Sequence, residues 1–112
     1  MTAYVYPARP PYAPSLAAHF AQCQQEIRGL WGRTRRISRS VLTIRRHGRE
    51  YPGMEEVFGG KIPGTRSEAV SRLMVYTTGD RYVKFRFSAP KAAGDQAAAQ
   101  ARLFVDRFPW PR

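Results

Sequence analysis

Residues 69–88 read AVSRLMVYTTGDRYVKFRFS, and this stretch determines the fold. Two runs rich in β-branched and aromatic residues, Ala69–Thr78 and Arg81–Ser88, flank Gly79-Asp80, a Gly-X pair that suits a type II′ hairpin turn. Since side chains alternate along a strand, the hairpin register assigns every residue to one of two faces. One face, predicted to be core, carries Met74, Tyr76, Val83, Phe85 and Phe87. The opposite face, which we expect to be open, carries Leu73, Val75, Tyr82, Lys84 and Arg86.

The register of this hairpin sets Tyr76 against Val83 and Met74 against Phe85. A second hairpin is predicted upstream, with Ser40–Arg46 paired to Arg49–Phe58 across His47-Gly48, where Gly48 can take the positive φ of a tight turn. This turn would place Ile44 opposite Tyr51 and Arg45 opposite Glu50. Consecutive hairpins indicate an antiparallel sheet.

Two helical patterns and a short strand complete the chain. The strand, Thr2–Tyr6, ends at Pro7. The first helix is predicted to be capped by Ser15 and to be ended by Gly29 and Gly32, and the last to be capped by Asp95. The first apolar stripe consists of Leu16, Phe20, Cys23, Ile27 and Leu30; the second of Ala97, Ala101, Phe104, Val105 and Phe108.

The element order is therefore β-α-β-β-β-β-α, which predicts an α+β protein with an antiparallel sheet packed by two amphipathic helices. Its 112 residues suit one domain, 1–112, with a Pro-rich linker at 8–14 and a Gly-rich loop at 59–67. The predicted core comprises Leu16, Phe20, Cys23, Ile27, Leu42, Ile44, Met74, Tyr76, Val83, Phe85, Phe87, Phe104 and Phe108.

The charge balance is strongly basic, with a net charge of +11. Such a balance favours an anionic partner: nucleic acid, an anionic membrane surface or an acidic protein. Arginines outnumber lysines 16 to 3, a bias that GC-rich codon usage produces without any selection for binding. Both explanations stay open.

The basic residues concentrate in residues 32–50, GRTRRISRSVLTIRRHGRE. We expect a turn to carry Arg33, Arg35, Arg36 and Arg39, and a positive sheet face to join Arg45 to Lys84 and Arg86. These seven residues are the anion-binding candidates, and they would bind phosphates independently of nucleotide sequence. Base stacking is disfavoured because Phe85 and Phe87 lie on the core face. The alternative is a solvated face whose long side chains shield the sheet.

Catalytic and metal-binding patterns are weak. His19 and His47 belong to no recognisable motif, and Cys23, in the middle of the helical stripe, favours a packed thiol. Glu55 and Glu56 would point to opposite faces of a strand and so could not converge on one ion. We therefore expect no enzyme activity, no metal and no cofactor.

Several short features together resemble a group of uncharacterised bacterial proteins, often from the cell envelope. These are YVYP at 4–7, the helix with Leu16, Phe20 and Ile27, the stretch GDRYVKFR at 79–86, and Phe104 with FPW at 108–110. The resemblance implies a helix-flanked antiparallel sheet, somewhat similar to the PsbP fold and its relatives, and carries no assigned role. Members usually have a signal peptide and further strand residues ahead of YVYP.

These observations favour a non-catalytic binding or interaction module with a basic surface for an anionic macromolecule, either a protein or a nucleic acid. Sequence-independent nucleic-acid binding is the alternative, and a small enzyme comes last. In contrast to that group, Met1 immediately precedes the YVYP strand, which indicates either a shortened relative or a misplaced start. A missing upstream strand would leave an unpaired sheet edge, and we expect such an edge to form a homodimer or to bind a partner. As written, the chain predicts a cytoplasmic protein, or an envelope protein if its true start lies upstream.

Overall fold

A computed structural model describes residues 2–111 as a five-stranded antiparallel sheet with the strand order β1-β5-β4-β3-β2 and one helix on each face. The predicted α+β class is confirmed. The elements are β1 (Thr2–Pro7), α1 (Leu16–Trp31), β2 (Thr34–Arg46), β3 (Arg49–Lys61), β4 (Glu68–Thr77), β5 (Arg81–Pro90), a short 3-10 helix (Lys91–Ala93) and α2 (Gly94–Arg107).

The two hairpins adopt the predicted registers. Tyr76 pairs with Val83 in the β4–β5 hairpin, and Ile44 pairs with Tyr51 in the β2–β3 hairpin. In the turn between β4 and β5, Gly79 has φ +99°. In the turn between β2 and β3, both His47 and Gly48 have positive φ, 54° and 70°, as a type I′ turn requires. Turn chemistry therefore fixed the register of both pairs.

Strand β2 is longer than predicted. It begins at Thr34 rather than Ser40, so Arg35, Arg36 and Arg39 lie in a strand, and their assignment to a turn was wrong. Arg33 does lie in the turn that precedes the strand. Pairing with β3, which continues through Gly59 and Gly60 to Lys61, supplies backbone partners for this polar segment. The predicted loop at 59–67 is correspondingly reduced to residues 62–67. A bulge interrupts the pairing between Arg36 and Ser38.

The helices lie on opposite faces of the sheet. Helix α1 packs Phe20, Cys23 and Ile27 against a cluster formed by Phe58, Leu73, Val75 and Tyr82. Helix α2 and the chain after it pack against the other face, in a cluster formed by Tyr51, Met74, Tyr76, Val83, Phe85, Phe87, Ala101, Val105 and Trp110. The expectation of an open face was therefore wrong, because α1 covers it. Central strands β4 and β5 are buried on both sides.

The helix ends agree only partly with the sequence signals. The Ser15 side chain accepts a hydrogen bond from the Ala18 N–H, so the predicted cap is confirmed. Gly32 is the C-cap of α1: its φ of 71° favours glycine, and its N–H donates to the Arg28 carbonyl. Gly29, by contrast, lies inside the helix. Leu30, however, is 63% exposed and not core, since α1 turns this position away from the sheet. Asp95 is no cap either: α2 begins one residue earlier, which leaves Asp95 in the first turn.

Candidate functional site

Arginines line the free side of the sheet at β2. We use "basic edge" for the exposed residues Arg33, Arg35, Arg36, Arg39 and Arg45. All but Arg33 lie in β2, which is the last strand of the sheet and pairs with β3 alone among residues 2–111. Five of the seven sequence-predicted site residues therefore lie along one edge of the sheet, four of them in β2 and Arg33 just before it.

One end of the basic edge borders a groove of about 560 Å³. It is lined by Trp31, Arg33, Thr34, Arg35, Gly59, Gly60, Lys61 and Glu68. A Cβ at Gly59 would lie 3.0 Å from Nη2 of Arg35, and one at Gly60 would lie 3.2 Å from the Arg33 carbonyl oxygen. The two glycines therefore let the arginine segment lie close against β3. Sequence reasoning did not include Lys61 among the site residues, because GGK at 59–61 lacks the GxxxxGK[ST] pattern and the strand-to-helix context of a phosphate loop.

Acidic side chains engage part of the basic edge. Nε of Arg36 lies 3.2 Å from Oε1 of Glu56, whose other oxygen accepts a hydrogen bond from Gln24. Glu56 is only 6% exposed, and these donors give both of its carboxylate oxygens a hydrogen-bond partner. Nη2 of Arg45 lies 2.7 Å from Glu50, but both groups are exposed and the pair contributes little stability. The salt bridges formed among residues 2–111 do not include Arg33, Arg35 or Arg39.

The remaining two candidates lie elsewhere. Lys84 and Arg86 belong to β5, three strands from β2, or about 14 Å at ordinary strand spacing. The Lys84 side chain is 14% exposed; its ammonium lies 3.9 Å from Glu26 Oε2 and 5.0 Å from the Tyr4 ring centroid. Apolar side chains under α1 fill the space between these strands. The predicted continuous positive sheet face was therefore wrong.

Glu55 and Glu56 do point to opposite faces, as expected for neighbours in a strand. Glu56 lies on the α1 side with Arg36, and Glu55 pairs with Arg72 at 3.2 Å in a groove beside α2. That second groove has a volume of about 320 Å³. Its lining consists of Leu42, Ile44, Glu55, Arg72, Met74, Tyr76, Ala98, Ala101, Arg102, Val105 and Asp106. Both of its carboxylates already pair with arginines, Asp106 with Arg46 at 3.1 Å.

A buried polar cluster surrounds His19, which is 3% exposed. The Gln22 side-chain oxygen accepts from the Ala13 N–H at 3.2 Å and lies 3.1 Å from Nδ1 of His19. Because that oxygen can only accept, Nδ1 carries the proton and Nε2 accepts the Tyr6 hydroxyl hydrogen bond. The Tyr82 ring stacks on the imidazole with 4.1 Å between centroids. His19 thus joins β1, the linker, α1 and β5.

Cys23 belongs to the same cluster, with Sγ 3.7 Å from Nε2 of His19. Burial raises the pKa of this thiol, and burial lowers the pKa of His19. A nucleophilic cysteine needs the opposite shifts, a stabilised thiolate beside a protonated imidazole. The arrangement therefore stabilises the packing of α1 on β1 and β5, and the neutral forms of both groups suit that role.

Residues 2–111 contain no group of three or more His, Cys, Asp or Glu side chains placed to hold a metal ion. Within the same part of the chain, neither helix has the length and apolar character needed to cross a membrane. No protein-family model matches the chain, and no curated protein matches it. The resemblance to envelope proteins therefore stays a prediction.

Proposed function

We propose that the protein is a non-catalytic interaction module that binds an anionic macromolecule through the basic edge. The observation that supports this proposal is the concentration of exposed arginines on one edge strand. Three of them, Arg33, Arg35 and Arg39, form none of the ion pairs within residues 2–111. Arginine donates bidentate hydrogen bonds to carboxylates and phosphates alike, so the edge suits either kind of anion.

A specific observation favours nucleic acid as the second candidate. The groove at the end of the edge is lined by three cationic side chains, Arg33, Arg35 and Lys61, and by one carboxylate, Glu68. Because Glu68 lies 3.4 Å from Nζ of Lys91, the groove keeps an excess of positive charge that suits a phosphate. Such binding would be independent of sequence. Phe85 and Phe87 are buried on the α2 side, at 0% and 6% exposure, and cannot stack on bases.

The experiment that tests the proposal titrates the protein against labelled polyglutamate and against single- and double-stranded DNA and RNA, at a low and a physiological salt concentration. A triple variant, Arg33→Ser, Arg35→Ser and Arg39→Ser, removes three charges from the basic edge. We expect it to lose about tenfold or more in affinity for whichever polyanion binds, and to lower the salt slope for nucleic acid by about 3.

The matched control removes three exposed charges elsewhere: Arg81→Ser, Arg102→Ser and Arg107→Ser. If this control weakens binding as much as the basic-edge variant, the net charge binds anions without a site and the proposal is wrong. Failure of the wild-type protein to bind any of these polyanions at low salt overturns it as well. Binding of DNA or RNA without binding of polyglutamate would favour the second candidate.

A further inference from the structure

The backbone of β2 has an open side. Antiparallel pairs alternate between residues whose backbone groups bond each other and residues whose groups point away. The type I′ turn at 47–48 makes Arg46 and Arg49 a hydrogen-bonded pair. By alternation, the N–H and C=O groups that point away from β3 belong to Arg45, Thr43, Val41 and Arg39. Pro52 supports this assignment, because it lacks an N–H and lies opposite Thr43.

These four outward-pointing residues also share one face. Val41, at 82% exposure, lies between the two arginines on the α1 side, where Arg39 lies over the Phe20 ring. An exposed β-branched residue between cations offers an apolar contact as well as charge. The strand is regular from Ser38 to Arg46, beyond the bulge, and therefore presents nine consecutive residues for pairing.

A second copy of β2 is a poor occupant of this edge. Two antiparallel copies centred on Leu42 would set each Arg39 against the other chain's Arg45, and like charges directly opposite are destabilising. Nucleic acid offers phosphates to the arginines but no strand backbone to pair with the open N–H and C=O groups. A peptide segment with carboxylates satisfies both the charges and the backbone.

We propose that β2 binds an extended acidic segment of another protein as a sixth, antiparallel strand. Its acidic side chains, six residues apart, face Arg45 and Arg39, and an apolar side chain faces Val41. Arg45 exchanges its exposed partner Glu50 for the incoming carboxylate. This inference rests on the proposed function and specifies the partner as a protein strand and the contact as backbone pairing.

The test uses a labelled nine-residue peptide with two glutamates six residues apart, a valine four residues after the first glutamate, and serine or threonine elsewhere. A second peptide carries N-methyl groups at the residues whose N–H would face β2, and a third has lysines for glutamates. We expect the first to bind at low salt, the second to bind about tenfold or more weakly, and the third not to bind. Amide resonances of Arg39, Val41 and Thr43 should shift with the first peptide.

A protein variant checks the same backbone groups. Thr43→Pro removes one outward N–H and none of the bonds to β3, a change that edge strands accept. We expect weaker peptide binding by about tenfold with an unchanged circular dichroism spectrum. The methylated peptide gives the same information if this variant fails to fold.

The outcomes separate the two proposals. Equal binding of the methylated and unmethylated acidic peptides overturns strand pairing and leaves the acidic partner in place. Binding of an oligonucleotide without binding of the peptide also overturns strand pairing, in favour of nucleic acid. If the peptide does not bind while polyglutamate does, strand pairing is overturned and the proposed function stands. If peptide, polyglutamate and oligonucleotides all fail to bind at low salt, the proposed function fails and the strand proposal fails with it.

Discussion

At the scale of single residues, the sheet depends on places where a side chain is missing. Gly53 in β3 lies directly under the Tyr76 ring: a Cβ there would be 2.6 Å from Cε1 and 2.9 Å from Cγ. The sequence places Gly53 in a strand and Gly29 near the end of a helix, but it does not show that Gly53 faces a side chain whereas Gly29 has open space around its Cβ position. The difference arises only when β3 and β4 pair and bring Gly53 opposite Tyr76.

We therefore expect Gly53→Ala and Gly29→Ala to have effects of opposite sign. Gly53→Ala forces the buried Tyr76 ring to move and should lower the free energy of unfolding by about 1–3 kcal/mol. Gly29→Ala lies in an exposed part of helix α1 and should raise it by about 0.5–1 kcal/mol. Urea denaturation measures both. A neutral Gly53→Ala would contradict the packing described for Tyr76.

At the scale of elements, the cluster around His19 joins α1 to the N-terminal segment. His19 and Cys23 lie one turn apart in α1, and the His19 ring contacts Tyr6 from β1, Tyr12 from the linker and Tyr82 from β5. Sequence reasoning predicted Cys23 as a core residue but assigned no contact to His19, because the partners of His19 come from three other segments. The i, i+4 spacing of the two residues was the one signal present.

The pKa of His19 makes this junction sensitive to pH. Burial lowers the pKa below 6.5; Lys84 lowers it further, while the hydrogen bond to Gln22 and the charge of Glu26 oppose the shift. The unfolded chain therefore binds the proton first as the pH falls. The free energy of unfolding should be highest above pH 6.5 and should decrease as the pH falls from there toward the folded-state pKa.

His19→Gln should be less stable than the wild type above pH 6.5 and should lose this dependence, measured by denaturation at several pH values on both sides of 6.5. His47→Asn is the control, since His47 is exposed in a turn and asparagine accepts its positive φ of 54°. A wild-type slope that persists in His19→Gln would assign the pH dependence to other groups.

At the scale of the whole molecule, the sheet has two exposed edges that differ in charge. β1, residues 2–7, contains no charged residue and exposes Tyr4 and Val5, whereas β2 carries the basic edge. Self-association through a sheet edge stays a prediction, and β1 is the edge where charge does not oppose it. At β2 the arginines oppose pairing between copies, since charged side chains on an edge strand prevent edge-to-edge association.

Removing that repulsion should allow β2 edges to pair. We expect the double variant Arg39→Thr and Arg45→Thr to have a larger mass than the wild type by light scattering across micromolar concentrations, because Thr favours strand pairing and the opposed charges are gone. The control, Arg102→Thr and Arg107→Thr, loses two exposed charges from α2 and should keep the wild-type mass. Identical masses for both variants would show that the arginines do not keep the edges apart.

The sequence by itself determined which residues pair within each hairpin and which side chains share a face. His47-Gly48 and Gly79-Asp80 are local turns, and period-2 alternation follows from backbone geometry alone. Tertiary structure decided the rest. The length of β2 depends on pairing with the distant part of β3, and the burial of Leu73 and Val75 depends on α1 crossing their face. The separation of Lys84 from Arg45 depends on the strand order. Each of these follows from contacts between segments far apart in the chain, which no local pattern contains.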